Sequence, residues 1–370
     1  MNNLINLSVA ILPGYSIEAP GNPYFPLLYQ QLKKQGIDSS KKKITSFSFL
    51  WLIKSRKKFN IIHFHWFASL HSSIFFPKHV FRSMVFVLNL IIARLMNYKI
   101  VWTVHNIYPH FTEVEKAGHY LFVHHLVRLC MAQLADAVIA HTVYSLEQVK
   151  KKFHRRKMIF AIPHGNYISW YPNAINKEEA RKGRNIPQDC FVYLLFGCVC
   201  AYKNILEIVR QFKKGRMDDD ILLIAGMPVD GILQGELERI ALLDRQIYLQ
   251  LKHIEDSEVQ LYFNASDIVI IHQDINTVMS GVLMLALSFG KPVIAPEYPN
   301  NMEIIDEDCG ITYDPVDKDG LSRAIQVARN LDLGKAENAA FEKAKNYDWR
   351  KIAKLTANIY RKLLVPTNHF

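Results

Sequence analysis

Residues 280–295 read SGVLMLALSFGKPVIA, from Ser280 to Ala295. Ser280 is a good helix N-cap, Gly281 lets a ligand approach the backbone, the next eight residues are mostly apolar, and Gly290 stands where a helix stops. Val293-Ile294-Ala295 then has the branched, apolar character of a strand covered on both faces. A helix start of this kind offers free backbone amides to an anion. One terminus contributes only about 0.3–1 kcal/mol per charge, so a diphosphate bound there needs a basic side chain as well. Lys203 is the candidate for that role.

The same alternation of short apolar runs and helix-length segments extends outward from this stretch. In the first half the runs are Leu7 to Leu12, Ile44 to Phe49, Ile61 to Trp66, Ile100 to His105 and Ala137 to His141; in the second they are Phe191 to Phe196, Ile221 to Ala225, Ile247 to Leu251, Ile268 to His272 and Val293 to Ala295. This pattern predicts an α/β chain with two parallel, doubly wound sheets. The boundaries expected are a first domain over 1–165, a polar linker over 166–187, a second domain over 188–347, and a terminal helix over 348–370 that crosses back. Ligands of such folds bind at the carboxyl ends of the strands. Lys203, after the Gly197 turn, Ser280-Gly281, His272 and His105-Asn106 all fall at strand ends of this kind.

With 370 residues, of which 50% are hydrophobic, the chain has ample core for two domains. Its five cysteines form no CxxC pair, which fits reduced thiols in the cytoplasm, and the start lacks a basic, then long apolar, secretory pattern. The formal net charge is +11, with basic clusters at Lys41-Lys42-Lys43, Lys54 to Lys58 and Lys150 to Lys157. No nucleic-acid motif accompanies them, so an anionic membrane surface is the partner they suit. The apolar segment Ser83 to Met96 is interrupted by Asn89 and Arg94 and reads as a core helix, or else as one lying in the lipid interface. No DxD or HExxH pattern occurs, and His63, His65, His124 and His125 have no convincing ligand spacing; no metal is expected.

Several motifs, in order, resemble those of the GT-B glycosyltransferases, two Rossmann-like domains facing across a cleft, and in particular a bacterial exopolysaccharide and capsule branch that includes xanthan-type β-mannosyltransferases. They are Asn22-Pro23-Tyr24; Ile62-His63-Phe64-His65-Trp66; Val101 to Asn106 with Pro109-His110; Asp136-Ala137-Val138 with His141; Pro163-His164-Gly165; Tyr202-Lys203-Asn204; Tyr262 to Asp267; and Ser280-Gly281 through Ala295. The resemblance implies a metal-independent hexosyltransferase of the cytoplasmic face of the plasma membrane. Its donor would be a nucleoside diphosphate sugar, GDP-mannose or a UDP-sugar, and its acceptor a polyprenyl-linked saccharide. Gly197, Lys203, Ser280, Gly281, His164 and His272 would hold the donor, Asn22, Pro23, Tyr24 and Asn106 would meet the acceptor, and His105 would face the donor sugar.

Two departures bear on mechanism. The Glu-x7-Glu motif of the large retaining family 4 would fall at Thr277 and Leu285 and is absent. That leans towards the inverting branch, in which a base takes the acceptor proton. Candidates by position are His105, His110, Glu113, Glu115 and Glu18, while Phe111 stands where that branch tends to place an acid. The alternatives are a catalytically silent GT-B-like membrane scaffold, for which the missing glutamates argue, and a sugar-nucleotide epimerase on the same architecture.

Overall fold

Two six-stranded parallel sheets divide the chain between them. The computed structural model describes residues 7–13, 23–40, 44–108, 118–273 and 278–365. One unit comprises Met1–Gly165, Asn276–Val278 and Trp349–Phe370; the other comprises Asn166–Ile275 and Met279–Asp348.

The first unit contains β1 (Ser8–Leu12), α1 (Tyr24–Lys34), β2 (Asp38–Ser39), α2 (Phe49–Ser55), β3 (Ile61–Phe64), α3 (Ala68–His71), α4 (Phe76–Leu95), β4 (Lys99–Val104), α5 (Gly118–Leu134), β5 (Ala137–Ala140), α6 (Val143–Phe153) and β6 (Ile159–Ala161). Its strand order is β2-β1-β3-β4-β5-β6, with Ile62 opposite Ile100 and Trp102 opposite Val138. β3 and β5 are buried along their whole length, as expected of parallel strands with helices on both faces. One cluster, with Phe64, Phe86, Leu90 and Trp102, fills one side of the sheet. Another, with Val9, Leu28, Val101 and Ile139, fills the opposite side.

The second unit contains α7 (Lys177–Gly183), β7 (Phe191–Phe196), α8 (Ile205–Gly215), β8 (Asp220–Ala225), α9 (Gly231–Leu243), β9 (Ile247–Gln250), α10 (Val259–Ala265), β10 (Ile268–Ile270), α11 (Gly281–Ser288), β11 (Val293–Pro296), α12 (Pro299–Met302), β12 (Gly310–Tyr313), α13 (Gly320–Ala328) and α14 (Leu333–Lys345). Its order is β12-β11-β10-β7-β8-β9. The winding direction reverses between β7 and β10, so the loops after these two strands part and leave a crevice at their carboxyl ends. The last helix, α15 (Trp349–Leu364), belongs to the first unit and packs on α1.

Four sequence expectations are corrected. The run Ile44 to Phe49 is not a strand: Ser48 accepts the Trp51 N–H and starts α2, and the edge strand is the two-residue β2. β6 and β12 are two strands not among those expected: β6 has only three residues, though Met158 to Ile162 is apolar throughout, and β12 is mostly half-exposed. Residues 166–187 are not a plain linker, because Asn176 and Glu179 form a capping box that starts α7. From α7, Arg181 reaches Asp267 at 2.7 Å, with both side chains buried, and Lys177 also pairs with Asp267. Finally, α4 is not a fully covered core helix. Ser83, Phe86, Asn89, Leu90 and Ala93 face inward, with Asn89 donating to the Phe47 carbonyl at 3.0 Å, while Phe81, Met84, Val85, Leu88, Ile91 and Leu95 are exposed.

Candidate functional site

In the second unit the crevice between β7 and β10 assembles four of the six predicted donor residues, Gly197, Lys203, Ser280 and Gly281. β7 ends at Phe196, and Gly197 follows with φ +98, a left-handed value that glycine adopts without strain. The chain then makes a single 3-10 turn over Ala201–Lys203 and enters α8 through Asn204, itself left-handed at φ 47. The loop brings Lys203 back over its own glycine: a methyl group at Gly197 would lie 3.4 Å from Lys203 Nζ and 3.5 Å from Val282 Cγ2. Gly197, Lys203 and the start of α11 therefore converge on one spot. Ser280 caps α11 by accepting the Leu283 N–H at 3.3 Å, and the Tyr167 hydroxyl would lie 3.3 Å from a methyl at Gly281. No carboxylate among the described residues pairs with Lys203, and desolvation lowers the pKa of its ammonium. A half-buried cation at a helix start is ready for an anion. Gly290 ends the helix at φ +68.

A second cavity of the same unit, about 300 Å³, opens at the carboxyl ends of β10, β11 and β12, where His272 meets Asn204, Pro296, Tyr298 and Tyr313. His272 is thus close to the loop that carries Lys203, in a cavity whose lining does not include Gly197.

In the first unit, five buried histidines lie near the strand ends. His141 Nδ1 donates to the Ile162 carbonyl at 2.9 Å, which leaves its Nε2 to accept from His105 Nδ1 at 3.2 Å. His105 Nε2 then accepts from His65 Nδ1 at 3.0 Å, and His65 Nε2 accepts from the Tyr29 hydroxyl at 2.9 Å. One carbonyl thereby fixes the tautomer of every ring in the row. His63 donates from Nε2 to Thr103 at 2.7 Å and accepts from Tyr360 at 2.5 Å. His164 donates to the Gly165 carbonyl at 2.7 Å. Burial holds all five imidazoles neutral, with pKa values pushed down to about 3 for His63 and His164 and about 4 for His141, and well below the ordinary value for His65 and His105. His105 stands at the end of β4 as expected, stacked on Trp66 at 3.7 Å, but with both ring nitrogens engaged it has no lone pair for a substrate proton. Its geometry is that of a positioning residue. Tyr24, expected at the acceptor, is packed edge-on against His105 at 4.9 Å and Trp349 at 5.2 Å and is buried. Pro23 is half-buried ahead of α1, and Asn106 lines a cavity with His105. Glu18, Asn22, Lys41 to Lys43, His110, Glu113, Glu115 and Thr277 lie outside the described residues.

Comparisons with known proteins bear on the fold and the family. Residues 176–347 match the family model described as glycosyl transferases group 1. That match spans a little under half of the chain. The matched segment occupies nearly all of the second unit and includes α7, so it takes in residues 176–187 of the stretch expected to be a linker. The chain is 27% identical over 150 residues to the GDP-mannose:glycolipid 4-beta-D-mannosyltransferase of Xanthomonas campestris pv. campestris; the match covers 40% of this chain and 39% of that relative. Among solved structures it resembles Anabaena HepE in complex with UDP and glucose (TM-score 0.68, 16% identity, 96% of this chain and 100% of that one). It also resembles a sucrose-phosphate synthase of Thermosynechococcus elongatus (TM-score 0.70, 16% identity, 96% and 99%). The fold is that of the GT-B glycosyltransferases.

Of the predicted donor residues, the second unit brings together Gly197, Lys203, Ser280 and Gly281; His164 belongs to the first unit's histidine group. Three features were missed. Tyr167 stands over Gly281, and nothing in its local sequence marks it. His71, His79 and His124, all buried, place ring nitrogens within 4.8 Å of one another and have metal-ligand chemistry. They come from α3, α4 and α5 with no motif spacing. Arg128 is buried beside them, and here a signal existed: it is the one charged residue in the seventeen-residue α5.

Proposed function

We propose that this protein moves a sugar from a nucleoside diphosphate sugar to a lipid-linked saccharide in the assembly of a bacterial capsule or exopolysaccharide, with inversion and without a metal ion. The observation that carries the reading is Lys203, an ammonium without a carboxylate partner among the described residues, set against Gly197 and the start of α11 in the β7/β10 crevice. Donor cleavage leaves a nucleoside diphosphate, and a lysine and a helix terminus stabilise the charge that develops on it. GDP-mannose is favoured as donor by the mannosyltransferase relative, and a UDP-sugar by HepE. With His105 committed to its neighbours, the base that takes the acceptor proton falls to His110, Glu113, Glu115 or Glu18. The test is a thermal-shift panel of GDP, UDP, ADP, CMP and dTDP with and without EDTA. Selective stabilisation by one diphosphate, unaffected by EDTA, is expected. No response to any nucleotide would overturn the donor site.

The reading places the protein on the inner face of the plasma membrane, and α4 supports this. It is long and apolar enough to cross a bilayer by length and composition, yet one side packs on the first unit and the other presents Met84, Leu88, Ile91 and Leu95 outward. The exposed Phe122 of α5 and the exposed Phe49 and Leu50 of α2 have the same character. These three helices contain no acidic residue, and Lys54, Lys78, Arg82 and Arg94 lie on them. An apolar face with a basic fringe suits the anionic interface. Met84→Glu with Leu88→Glu is expected to weaken binding to anionic vesicles at least about tenfold, since each side chain brings about 1.5–3 kcal/mol when fully buried. Nucleotide binding should be unchanged. Sedimentation with vesicles equal to the wild type would move the membrane contact elsewhere.

A further inference from the structure

Arg128 is 4% exposed, and its contacts leave it unsatisfied. Its Nη1 reaches the carbonyl of His124, one turn back in the same helix, at 3.4 Å, its Nε has no hydrogen-bond partner, and its guanidinium lies 5.3 Å from the centre of the Phe67 ring. Among the described residues no carboxylate pairs with it. A guanidinium carries five N–H donors and stays charged, so burying it with one long hydrogen bond is costly unless something else completes it. Desolvation lowers its pKa to about 9, which still leaves it a cation at neutral pH.

What completes it is indicated by its surroundings. Arg128 lines a cavity of about 190 Å³ at the carboxyl ends of β3 and β4, together with Trp66, Trp102, His105 and Asn106. At about 30 Å³ per water, this is room for roughly six waters, or for an oxyanion and part of the group that bears it. The titratable groups around Arg128 are the imidazoles of His71 and His124, which burial and then the arginine's own charge keep unprotonated, and the phenol of Tyr108, whose pKa burial raises. The field in this corner is therefore positive. That disfavours a metal cation on His71, His79 and His124, beside the guanidinium, and favours an anion.

We propose that this cavity is an oxyanion site in which Arg128 receives a carboxylate or phosphate group of the acceptor, whether the carboxylate of a sugar acid or the phosphate of a lipid carrier. A planar guanidinium suits both groups, because its paired N–H donors match two oxygens at once. Binding of the anion stands on Arg128 and the cavity. Its assignment to the acceptor rests on the sugar-transfer reading.

The test uses the full chain, wild type, Arg128→Met and Arg128→Lys, in buffer of constant ionic strength, with inorganic phosphate, glucuronate, and glucose as the neutral control. One of the two anions, at ten times its dissociation constant, should raise the Tm of the wild type by about 2–4 °C. Glucose should do nothing. Arg128→Met should not respond, and Arg128→Lys should respond with affinity about tenfold weaker. Without anion, Arg128→Met should melt no lower than the wild type, because it removes a buried charge that lacks a partner. The effective anion identifies the source. The proposal is overturned if neither anion stabilises the wild type, if wild type and Arg128→Met respond alike, or if Arg128→Met is destabilised without anion, which would make the arginine a structural cation. Nucleotide titrations on the same proteins separate the two readings: loss of nucleotide binding in all three, with the anion response intact, would remove the donor site and leave the oxyanion site standing.

Discussion

Lys203→Ala lowers affinity for the donor nucleotide by about 10- to 100-fold and kcat/KM by at least as much. A hydrogen bond from a charged donor contributes about 1.5–3 kcal/mol, and each 1.4 kcal/mol is about tenfold in affinity. The ammonium has no carboxylate among the described residues to leave stranded, so the unliganded variant should melt within about a degree of the wild type, or slightly above it. That separates this lysine from a structural one. Lys214, which pairs with Asp319 at 2.6 Å on the surface of the same unit, is the control, and Lys214→Ala should leave nucleotide binding unchanged. The measurement is calorimetric titration with the diphosphate chosen by the thermal-shift panel. A change smaller than twofold would take Lys203 out of the diphosphate site and leave the α11 terminus without the cation it needs.

The strands that could be read in the sequence were those covered by helices on both faces. β7, with Phe191 to Phe196 apolar throughout, and β3, with Ile61 to Phe64 buried, announce themselves by composition, because a covered strand has no polar face to dilute the signal. Edge strands lose it: β2 has two residues, and β12 is mostly half-exposed, whereas β6 kept an apolar run, Met158 to Ile162, that is only too short to stand out. The run Ile44 to Phe49 misled for a related reason. Its apolar residues serve the core through Phe47, while Ser48 ends the extended segment by capping α2. In α4, Asn89 looked like an interruption of an apolar face. It is the buried residue, tied to the Phe47 carbonyl, and the apolar residues around it are the exposed ones. Composition alone does not distinguish the two sides of such a helix.

The candidate site divides in the same way. Gly197, Lys203, Ser280 and Gly281 were legible because turn glycines, an N-cap and a lysine after a strand are local signals that the parallel fold converts into proximity. His105 was legible as a strand-end residue but not in its role. Its engagement depends on His65 and His141, brought beside it by β3 and β5, and on the Ile162 carbonyl that sets the direction of the row. Such a network depends on sheet order, which spacing along the chain does not reveal.

The second large effect follows from those histidines. The first unit is expected to lose stability steeply as pH falls below about 6.5. His63, His65, His105, His141 and His164 are neutral in the fold, with pKa values of about 3 to 4 or well below the ordinary value, while the unfolded chain restores about 6.5. Between these limits the unfolded state binds more protons than the folded one, so stability rises with pH through the window: it is fully present above 6.5 and is withdrawn as pH falls toward the folded values. Each histidine contributes up to about 1.4 kcal/mol per pH unit, and the five together on the order of 5–7 kcal/mol at pH 5.5, comparable to the entire stability of an ordinary domain. Acid should therefore unfold this unit near pH 5–6. Trp66, stacked on His105, makes the transition visible in fluorescence. His65→Gln should reduce the proton uptake on unfolding by about one. A Tm that stays level from pH 7.5 to 5.5 would mean that these rings can take up protons within the folded state, and the fixed tautomers of the row, with the positioning role they give His105, would have to be abandoned.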